Sequence, residues 1–143
     1  MTTISDVRRG IAYAIQNGLV SASYPQGLRV EEYVRDTLTG PCAEVHRREF
    51  DPRLIFSEVK SEYQFVVRVY SPLTTDRWSQ EFLDDLSEVN GQTSLIRAVQ
   101  DGDNWPADVT IDYAQVTRVG EIVAVQREAE AYLMVEFDVE AVW

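Results

Sequence analysis

At 143 residues, 45% of them hydrophobic, the chain is sized for one domain with a single core. Its 13 basic and 24 acidic residues give a formal net charge of -11, which disfavours binding to a phosphate backbone and docking on anionic lipid. Cys42 is the single cysteine, which excludes an intramolecular disulfide.

Twelve of the basic residues are arginine and Lys60 is the one lysine, a skew that fits codon usage in a GC-rich genome or, alternatively, planar bidentate pairing at interfaces. The first twenty residues mix charge among their apolar positions and carry no signal-peptide core. No stretch approaches the roughly 18 apolar residues of a membrane span, so no membrane association is expected.

In chain order, residues 5–18 are expected to be helical, with Ser5 as N-cap, Val7, Ile11, Ala14 and Ile15 on one side, and Gly18 at the end. Residues 27–34 alternate as a strand, 37–41 form a turn, and 42–48 form a second strand. FDPRLIFSEVKSE, residues 50–62, has no clean period and reads as a long loop. EYQFVVRVYS then gives a strand with Tyr63, Phe65, Val67 and Val69 on one face, closed by Pro72.

A second helix is expected from about Thr75, with Trp78, Phe82, Leu86 and Val89 as its apolar stripe. Glu81, Asp84, Asp85 and Glu88 form the opposite, acidic face. Asn90-Gly91 stops it, and Ser94 caps a shorter helix before the turn-rich DGDNWPAD. Residues 109–125 read as strand, losing phase near Ala114 and Gln115 as at a bulge. In the last strand Leu133, Val135, Phe137, Val139 and Ala141 share one face, and Glu136, Asp138 and Glu140 the other. The expected fold is α+β: a mixed, mostly antiparallel sheet of about five strands with two main helices packed on one face.

Nothing in this pattern demands catalysis. Cys42 and His46 are the sole thiol and imidazole, and four residues along one strand place them about 13 Å apart, too far for a dyad. One cysteine and one histidine leave a zinc site short of its usual ligands. The helix acids diverge, and the neighbours Asp84 and Asp85 point about 100° apart, which suits neither a hard-metal site nor paired acid–base work. No phosphate-binding, nucleophile-elbow or metalloprotease motif occurs. No enzyme activity, metal or cofactor is expected.

Several stretches in order, GLRVEEYV, EYQFVVRVY, SPLTTDRWSQEFLDDL, TSLIRAVQD, VTIDYAQVTRV and YLMVEFDVEAVW, together resemble the tail terminator proteins of long-tailed bacteriophages, especially those of actinobacterial phages. The resemblance covers most of the chain and rests on order and spacing. It implies a structural virion protein at the head–tail junction, forming a ring, commonly of six copies. The ring stops growth of the tail tube and joins tail to head. Its implied partners are further copies of itself, the tail tube protein and a head–tail connector or stopper protein, with DNA passing through unbound.

For such a ring, Phe50, Leu54 and Phe56 with Arg53 and Lys60 in the 50–62 loop, and Trp105 in its own loop, are the candidate ring or tube contacts, the alternative being that these side chains fold back onto the core. The candidate lumen-lining acids, which would repel a passing duplex, are Glu81, Asp84, Asp85 and Glu88, or Glu136, Asp138 and Glu140; the alternative for the helix set is an outward, solvated face that keeps the subunit soluble before assembly. The alternatives are another neck component, such as a head-completion adaptor, and an acidic DNA mimic that inhibits a nucleic-acid enzyme.

Overall fold

A computed structural model describes residues 2–20, 28–33, 40–48, 62–72, 78–91, 93–127 and 129–143. The described elements run α1 (Ile4–Val20), β1 (Arg29–Glu31), β2 (Cys42–Arg47), β3 (Glu62–Pro72), α2 (Trp78–Ser87), α3 (Leu95–Gln100), a 3-10 turn (Gly102–Asn104), β4 (Tyr113–Val119), β5 (Val123–Arg127) and β6 (Glu130–Val142). This is the expected α+β fold, with a mixed, mostly antiparallel sheet of six strands.

The sheet order is β1-β2-β3-β6-β4, and β5 also pairs with β6. Only β1 and β2 are parallel. β3 and β6 form the long central pair, Glu62 opposite Val142 through Pro72 opposite Tyr132. β4 and β5 lie end to end along the other side of β6, β4 against its C-terminal half and β5 against its N-terminal half.

Period-two patterning decides which sheet face is buried. Ala43 and Val45, Phe65, Val67 and Val69, and Val135, Phe137, Val139 and Ala141 all turn to one side. There they meet Val7, Ile11 and Ile15 of α1, Phe82, Leu83 and Leu86 of α2, and Leu95, Ala98 and Val99 of α3. All three helices therefore cover the same face.

Several local expectations change. Thr3, not Ser5, caps α1: its Oγ1 accepts from Asp6 N at 3.2 Å while Asp6 Oδ2 accepts from Thr3 N at 2.8 Å, a reciprocal capping box. Gly18 does not end that helix but lies inside it against Ala98, where an added Cβ would sit 2.6 Å from the alanine methyl. Within the 27–34 strand, β1 is only Arg29–Glu31, and residues 34–39 lie outside the described set. In α2 the third apolar contact is Leu83, fully buried, while Val89 lies beyond the helix and is 67% exposed. The register slip falls between Val116 and Arg118, two residues later than expected, and residues 120–122 separate β4 from β5. Ser94 caps α3 as expected, its Oγ accepting from Arg97 N at 3.1 Å.

Candidate functional site: the helix-free sheet face and the acidic helix

The second face of the sheet has no described helix packed on it. A small apolar cluster, Cys42, Tyr70 and Tyr132 with Val125 and Met134 against it, contains strand residues alone. Tyr70 and Tyr132 meet edge to face, with ring centroids 6.2 Å apart. Beside them Glu44 has no exposed surface, although it is a carboxylate on the helix-free side.

Arg127 compensates that burial. From the β5–β6 hairpin its guanidinium passes over the Tyr70 ring, 5.1 Å from the centroid, and Nη1 donates to Glu44 Oε1 at 2.9 Å. Burial works against the arginine's charge, but the hydrogen bond and charge of Glu44 raise its pKa on balance. His46 Nε2 lies 3.4 Å from the same oxygen, without hydrogen-bond geometry. Burial, then Arg68, depresses the His46 pKa below its ordinary 6.5, with Glu44 opposing, so the imidazole is neutral at pH 7.

The three β6 acids lie on this face, each with partners. Arg68 Nε is 3.2 Å from Glu136 Oε1. Asp138 sits between Arg48 Nη2 at 2.6 Å and Arg118 Nε at 3.0 Å. Burial opposes ionisation there, but both arginines outweigh it and hold the carboxyl below its usual range. Glu140 accepts from Tyr113 Oη at 3.3 Å and Gln115 Nε2 at 3.2 Å. The sequence pattern placed these acids on one face but did not locate the arginines of Glu136 and Asp138, which come from three other chain segments.

The acids of α2 and its C-terminal end are situated differently. Glu81, Asp84, Asp85 and Glu88 are all exposed on the outer surface of the helical layer, opposite Phe82 and Leu86. Among the described residues, no group of three or more His, Cys, Asp and Glu side chains is arranged to hold a metal ion. Nor is any described helix long and apolar enough to cross a membrane.

Of the candidate contact residues, Phe50, Arg53, Leu54, Phe56 and Lys60 lie outside the described residues. Trp105 follows the second of its two readings and folds back onto the core. It is 8% exposed and belongs to the main core, with Nε1 donating to Val99 O at 2.8 Å and its ring against Gly10. A glycine amid the buried positions of α1 was the available signal, since it leaves room for a large side chain from elsewhere.

Comparison with known proteins adds fold-level information. No protein-family model matches this chain, and no curated protein matches it. Solved structures do match, and one of them is similar over 97% of this chain and 96% of its own, at 14% identity and a TM-score of 0.51. At that identity the likeness speaks to the fold alone.

Proposed function

We propose that this protein is a tail terminator: a structural subunit that assembles as a ring, with six copies the expected number, on the head-proximal end of a phage tail tube. The ring ends tube growth, offers the surface that joins tail to head, and lets DNA pass without holding it. In this reading the protein works in the virion and is not an enzyme.

The observation that carries the proposal is the division of the surface into unlike parts. The sheet ends on two different edges, β1 on one side and β4 with β5 on the other, and a heterologous contact that closes into a ring joins unlike patches. On the helix-free face Glu136 and Asp138 are matched by arginines and Glu140 is hydrogen-bonded by Tyr113 and Gln115, while α2 and its C-terminal end present four exposed carboxylates. Of the two candidate lumen walls, the helix set is therefore favoured. Six copies, each at -11, would surround a duplex with charge of its own sign.

The test mixes purified protein with tail tubes of its own phage and examines tube ends by negative-stain electron microscopy. Rings capping one end, with further tube growth blocked, support the terminator. Rings that appear only on the head side of a capped tube would transfer the protein to a head-completion role. Competition with DNA for a nuclease, with no ring at all, would favour the DNA mimic, a reading that the arginine-matched sheet face disfavours.

A further inference from the structure

The two sheet edges differ in how they are protected. In β1, Arg29 donates its amide to Pro41 O at 3.2 Å, and successive amides alternate in direction, so Val30 is the residue whose backbone groups point away from β2. On the far side β4 is blunted. Gln100 Oε1 accepts from Val116 N at 3.1 Å, the register slips between Val116 and Arg118, and Arg118 is an exposed charge. Each of these discourages strand addition.

β5 lacks such devices. Its one charged residue, Arg127, is turned over the sheet face to Glu44. The hairpin to β6 closes with Arg127 opposite Glu130 across two residues, so that flanking pair exchanges both hydrogen bonds. Alternation then directs the backbone groups of Ala124 and Gln126 outward.

Direction and face agree between the two edges. β1 runs parallel to β2, which is antiparallel to β3; β6 is antiparallel to β3, and β5 to β6. Copies related by rotation about an axis along the strands would bring β1 of one against β5 of the next in antiparallel sense. Val30 lies opposite Ala43 and Ala124 opposite Leu133, and both partners turn to the helix side. Their side chains thus fall on one face of the joined sheet.

We infer that β5 is a docking edge whose occupant is β1 of a second copy, Val30 pairing with Ala124 to continue the sheet from subunit to subunit. The inference rests on the ring reading and names the contact that closes the ring.

The test is the double variant Val30→Cys, Ala124→Cys, assembled on tail tubes and oxidised, then run on a non-reducing gel. Residues opposed in an antiparallel ladder have Cα atoms about 4.5–5.5 Å apart, within disulfide reach. Native Cys42 is 1% exposed and will not compete. A ladder of covalent multimers is expected from the double variant, and none from either single one. Rings without a ladder overturn this contact while leaving the ring reading intact; absence of rings from the wild-type protein overturns the ring reading itself. Covalent dimers from Ala124→Cys alone would mean two-fold β5–β5 pairing and also overturn the inference. As a second variant, Ala124→Pro removes one outward amide at a position where an edge strand tolerates proline. It is expected to stay folded by circular dichroism and to lower ring yield at least about fivefold, the effect of one lost hydrogen bond per contact; undiminished yield overturns the contact.

Discussion

Arg127 Nη1 lies 2.9 Å from Oε1 of Glu44, a side chain with no exposed surface, and the pair ties β5 to β2 three strands away. Removing one partner of such a pair leaves a buried charge short of its counter-ion, at a cost of about 3–5 kcal/mol. Arg127→Met is therefore expected to lower the urea midpoint strongly, whereas Arg127→Met with Glu44→Leu recovers most of the loss. Equal losses in the single and double variants would show that Arg127 acts by packing on Tyr70 instead.

His46 gives stability a pH dependence of defined sign. Its folded pKa is depressed, chiefly by burial and then by Arg68, with Arg127 adding and Glu44 opposing. The unfolded chain therefore takes up a proton first. Its contribution is complete above the ordinary 6.5, falls as pH drops below that value, and levels off beneath the folded pKa. Asp138 adds a separate, more acidic step, because its depressed carboxyl stabilises the fold above 3.8 and loses that contribution as pH falls through its lower folded value. Urea titrations at stepped pH should show His46→Gln flattening the first step only; an unchanged first step refutes the assignment to His46.

The elements with long, regular periods were legible from sequence, and their contacts were not. Phe65 to Val69 and Val135 to Ala141 alternate over enough residues to fix both their strand character and their buried face. α2 was recognisable, but its stripe ran one turn too far, because the helix stops at Ser87 and Val89 falls in the turn beyond. The choice between contact and core for Trp105 stayed open because turn residues flank it, and local composition says nothing about a glycine 95 residues earlier that makes room for its ring. The arginines that meet Glu44, Glu136 and Asp138 depend on strand order, which periodicity does not specify.

Gly10 tests that packing. An added Cβ would stand 2.5 Å from Trp105 Cζ3 and 2.6 Å from Cε3. Alanine in a helix interior usually gains about 0.5–1 kcal/mol over glycine, whereas overpacking a core costs about 1–3 kcal/mol. The clash should win, so Gly10→Ala is expected to destabilise the protein. In a Trp105→Leu background, where the ring is gone, the same change should be neutral or stabilising. A double-mutant cycle measured by thermal or urea unfolding reads the coupling directly, and additivity between the two sites would remove the contact from the argument.

Glu81, Asp84, Asp85 and Glu88 test function rather than fold. All four are exposed, and surface substitutions away from buried partners usually change stability by no more than about 0.5 kcal/mol each. Replacing all four with lysine shifts each subunit by eight charge units, from -11 to -3. If these side chains line the passage for DNA, the variant should fold and cap tubes normally, yet slow or stall DNA ejection, because phosphates now meet ammonium groups at close range. The defect should lessen as salt rises, since exposed charges are screened over about 8–10 Å at ordinary ionic strength. Normal ejection kinetics from phage carrying the variant ring would instead assign the helix to the outer, solvated wall. There its charge would serve to keep unassembled subunits apart.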